Sequence, residues 1–428
     1  MSLKQGDAIS VKTDSLLHEG VFVKEDNKFI FLKLKSGYNI GVNKQSISEI
    51  KTLAEKKDKE ASVKVAKPDK KLPLVSLLHT GGTIASKVDY STGAVVAKFT
   101  PEEIIQTFPE LLELANIKSQ LISNIMSENM RFHHYNLIAR AVEKEIKAGA
   151  QGVIVTHGTD TLHYTAAALS FMLKNVPVPV MLIGSQRSSD RPSTDSAVNL
   201  LSAVTFITHA GMKGVFICMH ENLDDETCLV IEGVNARKMH SSRRDAFRPI
   251  NKTPIAKVDY KKKQVKIMRE VPQPEDEFKV KLFDEKIKVG IVKMHPQMYA
   301  SELAGYEQFN GLIIEGTGLG HASIIKGDDE SEENDLIKSE IRRLAGKMPI
   351  VMTTQTIYGR VNMNVYSPGR DLLEIGLLGN YCDMTPETAF IKLAWLLSTN
   401  SGQKASELFG KNLRGELSER SEKETFLI

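Results

Sequence analysis

The sequence predicts an α/β protein of mostly parallel sheets, preceded by a small all-β barrel. Three observations carry this. From Leu72 onward, short and nearly unbroken apolar runs alternate with helix-like segments, the pattern of strands buried on both faces. Before them, to about residue 53, stand β-rich runs separated by polar turns. The chain has 428 residues, 41% hydrophobic and 25% charged, which leaves room for two or three domains with a sizeable core.

The first 53 residues supply DAISVKT, GVFVKED, KFIFLKLK, NIGVNK and SISEIKTL, with turns at Glu25-Asp26-Asn27 and Ser36-Gly37. Several strands at this spacing predict the barrel. Residues 54–71 are highly charged and lack aromatic residues, the composition of a flexible linker or, alternatively, of an RNA-binding segment. Residues 72–270 then alternate strand and helix. LPLVSLL is the first buried strand; Thr100-Pro101 marks a helix start; Leu137 to Gly149 has helical apolar spacing; GVIVT, PVMLIG and GVFICM are further strands. A Ser/Asp/Pro-rich loop leads to a helix with Thr194 or Asp195 at its N-cap. Residues 271–288, beginning with the acidic, Pro-rich VPQPEDEF, read as an interdomain connection. KVGIVKM, GLIIEGTG and PIVMTTQ place three buried strands in a second, smaller α/β domain over 289–428. An amphipathic helix from about Pro386 to Ser398 closes it with Trp395 in the core, and a charged tail follows with one more short helix.

Composition also excludes. A net charge of +3 permits a nucleic-acid or acidic partner, but a lysine-rich solvated surface explains it as well. Cys218, Cys228 and Cys382 are odd in number and widely spaced, indicating neither a disulfide framework nor a zinc site; no metal is expected, and reducing cytoplasm fits. The start, MSLKQGDAISV, has no apolar h-region, and no segment approaches roughly 18 apolar residues, so neither secretion nor membrane insertion is expected.

The chemistry concentrates at two turns. In HTGGTIAS a buried strand ends at Gly81-Gly82, leaving Thr83 at the carboxyl end of a sheet; in THGTDT, Thr159 follows another strand through a His-Gly turn. A hydroxyl so placed is a candidate nucleophile, although a threonine there also suits a helix cap. Asp160 suits a cap or the ammonium of a small ligand. A hydroxyl needs a base. His79, His157 and His163 flank both motifs, and VNARKMHSSRRDAF offers Lys238, a lysine that crowding by Arg237, Arg243 and Arg244 would press to release its proton. The rival reading of that cationic run is an anion or RNA patch.

TGGTIAS and THGTDT, in this order and strand-to-turn context, resemble the two signatures of the bacterial-type L-asparaginase family, from about Leu72 to Thr399. The resemblance implies an asparaginase-like two-domain fold and a homodimer or dimer of dimers, with the site completed by the neighbouring subunit. It also implies roles. Thr83 is the acylated nucleophile and Tyr90, in KVDYSTGAV, the mobile-loop tyrosine that helps activate it. Ser127 holds the substrate α-carboxylate with Glu128 beside it, Thr159 is the second catalytic threonine, and Asp160 binds the α-amino group. Lys238 activates Thr159, although ARKMHSSRRDAF departs from the family's usual Lys-Thr-Asn-Thr-Thr-Asp kind of run. The N-terminal barrel, the linker and the charged tail are similar to the D-subunit family of archaeal glutamyl-tRNA(Gln) amidotransferases. That family pairs a D subunit, which releases ammonia from glutamine or asparagine, with an E-type partner subunit in a heterotetramer. The partner uses ATP and Mg to amidate Glu-tRNA(Gln). Consistently, the chain has no G-x-x-x-x-G-K-[ST] loop and no cofactor is expected in it. A free-standing L-asparaginase and a non-catalytic RNA-binding or scaffold protein are the alternatives.

Overall fold

The structure, a computed structural model, describes residues 3, 6–13, 16–34, 39–54, 69–82, 86–88, 95–97, 108–187 and 194–426. The helix start expected at Thr100-Pro101, the turn at Ser36-Gly37 and most of the linker lie outside them. Five N-terminal strands, β1 (Ala8–Thr13), β2 (Leu17–Glu25), β3 (Phe29–Leu34), β4 (Asn39–Asn43) and β5 (Ile47–Ala54), form one antiparallel sheet in the order β4-β3-β2-β1-β5. Alternation sets its core: Ile9 and Val11 on β1, and Ile30 and Leu32 on β3, share one buried face with Phe22 and Val42. The β2–β3 turn closes on Asp26, whose Oδ1 accepts the N–H groups of Lys28 and Phe29 at 2.8 and 2.7 Å. Those two bonds hold its carboxyl below the ordinary range.

The next unit is an eight-stranded sheet. Its strands are β6 (Leu74–His79), β9 (Asn116–Leu121), β10 (Gly152–Thr156), β12 (Pro179–Ile183), β13 (Gly214–His220), β14 (Cys228–Glu232), β17 (Ala256–Asp259) and β18 (Gln264–Ile267). The order is β18-β17-β14-β13-β12-β10-β6-β9; β9 to β13 run parallel, and the last three strands extend the sheet antiparallel. Both faces are covered, which is why the parallel strands read as continuous apolar runs. Leu78, Val153, Val155 and Leu182 face α1 (Phe132–Lys147) and α2 (Leu162–Met172), whereas Val75, Leu77, Ile154, Met181 and Ile183 face α3 (Ser196–His209). Helix α1 starts five residues before the expected Leu137. His134 Nδ1 accepts the Arg131 N–H there at 3.0 Å while the His134 N–H returns to Arg131 O at 2.9 Å, and Tyr135 adds a turn to the buried stripe. Three two-stranded ribbons complete the unit: β7 (Ser86–Val88) with β8 (Val95–Ala97), β15 (Ala236–Lys238) with β16 (Phe247–Pro249), and β11 (Leu173–Lys174) with β19 (Lys279–Val280).

The smaller unit is a parallel sheet of β20 (Val289–Lys293), β21 (Gly311–Gly316) and β22 (Ile350–Thr354), the three strands expected. Its helices are the short α4 (Ser301–Ala304), α5 (Glu333–Ala345) and α6 (Ser367–Ile375), followed by α7 (Pro386–Thr399) and α8 (Gly402–Phe409). Trp395 is in the core, stacked on Phe171 at 5.7 Å with its Nε1 donating to Lys281 O at 3.1 Å. The amphipathic reading of α7 is corrected. Packed between α2 and the small sheet, it is buried nearly all round, Lys392 included. Among the described residues no helix is long and apolar enough to cross a membrane.

Candidate active site

Parallel strands deliver their carboxyl ends to one edge, and the two threonine motifs meet there because β6 and β10 are neighbours, with Thr156 opposite His79. The turns after them touch. Gly81 and Gly82 have φ of 105° and 82°, and a Cβ on Gly82 would lie 2.5 Å from Gly158 N. A Cβ on Gly158 would in turn lie 2.8 Å from the Ser127 Cβ, so no side chain larger than hydrogen fits at either crossing. Thr83 and Tyr90 lie outside the described residues. Ser127 is buried at the start of a 3₁₀ turn whose carbonyl accepts the Thr161 hydroxyl at 2.6 Å, and Glu128 beside it is exposed.

Thr159 and Asp160 cap nothing: α2 starts at Leu162 with Thr161 at its N-cap, and both side chains turn to Lys238. Its Nζ donates to Thr159 Oγ1 at 2.8 Å and to Asp160 Oδ1 at 2.7 Å. The lysine side chain is 9% exposed whereas Asp160 is 67% exposed, so the carboxylate sits at the mouth and the amine inside. Strand alternation on β15 separates the charges. Lys238 faces the threonine and Arg237 faces the other way, pairing with Glu387 at 3.1 Å. Arg243 is bound by Asp245, and Arg244 by Asp225 and Leu223 O. The expected crowding of Lys238 by three arginines is therefore corrected: each is paired with a carboxylate, Arg243 sharing Asp245 with Arg248.

The histidines serve the scaffold. His79 bridges Thr156 at 2.9 Å and Ser119 at 2.8 Å, and His157 bridges Gly158 O at 2.7 Å and Thr165 at 2.8 Å, so neither ring has a nitrogen left for Thr159. Burial pushes both, and His163 beside them, down to about 4. An unfolded histidine titrates near 6.5, so these buried rings stay neutral where the unfolded chain takes up protons. The stability they contribute is fully present above about pH 6.5 and is lost as pH falls toward 4. Unfolding free energies from denaturant titrations should accordingly drop between pH 7.5 and 5, by on the order of 2 kcal/mol per histidine. An equal slope in a His79→Gln chain would remove that residue from the account.

One neighbour of Thr159 escapes a reading of motifs. Gln186, three residues past β12, accepts the Thr159 hydroxyl on Oε1 at 3.4 Å, and its buried Nε2 has no hydrogen-bond partner among the described residues. The available signal was position alone: Ser185-Gln186 follows a third apolar strand, PVMLIG, at the same sheet edge. Asp195 is the N-cap residue of α3, one of the two expected, but its carboxylate accepts the N–H groups of Gln186 and Arg187 and no helix N–H. A cleft of about 550 Å³ lined by Asn175, Glu232 and Arg414 contains none of these residues and lies where β13 begins, at the opposite end of the sheet. Chemistry, rather than size, marks the site.

Residues 74–273 match the family described as asparaginase, N-terminal, residues 288–409 the glutaminase/asparaginase C-terminal domain, and residues 3–53 the GatD N-terminal domain. The D subunit of the glutamyl-tRNA(Gln) amidotransferase of Methanococcus maripaludis strain C7 is 42% identical over 426 residues, covering 97% of this chain and 98% of that one. Its counterpart from Pyrococcus furiosus is 44% identical over 408 residues, covering 93% and 90%. Among solved structures, the thermostable L-asparaginase from Thermococcus kodakarensis superposes with a TM-score of 0.70 at 30% identity, over 81% of this chain and 99% of that one. With all three domain matches in this order and relatives aligned nearly end to end, the chain belongs to the D-subunit family of glutamyl-tRNA(Gln) amidotransferases, built on the asparaginase fold.

Proposed function

We propose that this chain is the amidase subunit of a tRNA-dependent amidotransferase: it releases ammonia from the side-chain carboxamide of glutamine or asparagine for an E-type partner, which converts Glu-tRNA(Gln) to Gln-tRNA(Gln). The observation that carries the reading is the Lys238–Thr159–Asp160 cluster beside the crossing of Gly82, Gly158 and Ser127. It pairs a hydroxyl with an amine that, once neutral, can take its proton. The Thr83 oxygen bonds to the carboxamide carbon as its proton passes to a base. The adduct then collapses by breaking the C–N bond, and the nitrogen leaves as ammonia with that proton. Water, activated through Thr159 and Lys238, adds to the resulting ester and frees the acid and the Thr83 hydroxyl. Asp160 at the mouth suits the substrate ammonium, and Ser127 with Glu128 the other polar end; Tyr90 assists Thr83. A homodimer completes the site. ATP and Mg act at the partner, and the N-terminal β unit is the added feature that sets the chain apart from a free-standing asparaginase.

The test is ammonia release from glutamine and from asparagine by the purified chain, alone and with the E-type partner and Glu-tRNA. Turnover is expected to rise at least about tenfold in the complete system. Full turnover alone, indifferent to partner and tRNA, would identify a free-standing asparaginase, and no turnover in any mixture a non-catalytic scaffold.

A further inference from the structure

We infer that Gln186 is an unassigned positioning residue of the amidase site: one pole of its carboxamide orients the Thr159 hydroxyl, and the other is left to hold the substrate. The inference rests on the amidase reading. A carboxamide has two poles roughly 2.2 Å apart, so when one lies on Thr159 the other must lie within the same site. Oε1 takes the Thr159 hydroxyl at 3.4 Å, and Nε2 is buried and unpaired among the described residues. Exchanging the two poles leaves the same arrangement, one on Thr159 and one unpaired. The 3.4 Å separation is long for such a bond, as expected of a contact that tightens when a ligand fills the site.

An unpaired buried amide has given up its water without gaining a partner, a cost that native structures rarely tolerate without a ligand to supply that partner. Here the cost is imposed by construction, since the turn bearing Gln186 cannot relax. Asp195, fully buried, accepts the Gln186 N–H on both oxygens at 3.1 and 3.0 Å and the Ser185 hydroxyl at 2.8 Å. Asn199 ties Gly184 O to that carboxylate at 3.0 and 3.3 Å, and His220 holds Asn199 at 2.7 Å. A Cβ on Gly184 would lie 2.8 Å from Thr159 Cγ2, so the two turns are in contact. With Lys238 donating to Thr159 Oγ1, the remaining hydroxyl hydrogen points to Gln186. The unpaired N–H is then left for the carbonyl or carboxylate oxygen of a carboxamide substrate that reaches Thr159.

Gln186→Met and Gln186→Glu, assayed as the complete complex, separate the two roles. Methionine keeps the shape and removes both poles, so kcat should fall about tenfold and KM rise about tenfold. Glutamate keeps an acceptor for Thr159 but removes the donor and adds an anion beside Lys238. Its KM should rise, and the rising limb of its pH–rate profile should move about one pH unit higher, a shift that loss of structure alone would not produce. If the native complex releases no ammonia, the amidase reading fails. If it does so and both variants stay within twofold in kcat and KM with an unmoved pH limb, the assignment of Gln186 is overturned.

Discussion

Replacing Lys238 by methionine is expected to lower ammonia release by about 10²- to 10⁴-fold, the range general-base catalysis covers, with little loss of stability. The amine is the sole cation on Thr159 among the described residues, and the nearby histidines have their nitrogens committed elsewhere or, like His163, are buried beside Tyr164 and Phe247. Removing it leaves Asp160 without its partner, but that carboxylate is 67% exposed and water replaces the lost bond at small cost. The melting temperature should therefore stay within a few degrees while the rate collapses. Lys238→Arg sharpens the test. A guanidinium keeps the charge for Asp160 but does not give up its proton near neutral pH, so an arginine should fail as methionine does. Near-native turnover in the arginine chain would mean that the residue acts as a fixed charge rather than as a base. Thr159→Val should match the loss, because it removes the hydroxyl that the amine serves; Thr83→Val should abolish acylation.

The parts of the site that are contiguous in the chain were legible without a structure. Buried strands announced themselves as unbroken apolar runs, and Gly81-Gly82 and the His157-Gly158 turn marked where those strands end. Lys238 was legible as a lysine in a cationic run, but the reason offered for its reactivity was not right. Sequence distance made Arg237 a like-charge neighbour, whereas the pleat of β15 turns it to Glu387. Residues whose meaning depends on a distant partner were silent. Gln186 looks like one polar residue in a loop until β12 is laid beside β10. Asp195 is the helix cap it looks like, but the turn its carboxylate grips is not visible in the sequence. The character of α7 failed for the same reason, since the partners of Lys392 and Thr388, Glu416 and Val234 O, lie on other elements.

That misreading points to the largest effect expected on stability. Lys392 and Glu416 are both fully buried and meet at 2.5 Å, with Lys392 also donating to Lys411 O at 2.6 Å and lying 5.3 Å from the Phe409 ring. Burial pulls the lysine below its ordinary range, opposed by the glutamate. Glu416 in turn accepts the N–H groups of Leu413 and Arg414 at 3.0 and 2.6 Å, so one carboxylate folds the tail over α7. Glu416→Ala should destabilise the chain by about 3–5 kcal/mol, because it strands an ammonium in the core. Lys392→Met combined with Glu416→Gln keeps an acceptor for both N–H groups and buries no charge, and should recover most of that loss. The effect should reach the active site as well. Thr388 on α7 donates to Val234 O at 2.9 Å and Glu387 holds Arg237, which fixes the segment that carries Lys238. Loosening α7 should therefore reduce kcat in Glu416→Ala even at temperatures where the chain remains folded, and the double variant should restore it. A Glu416→Ala chain with native midpoint and native kcat would show that the tail neither stabilises α7 nor steadies the lysine behind it.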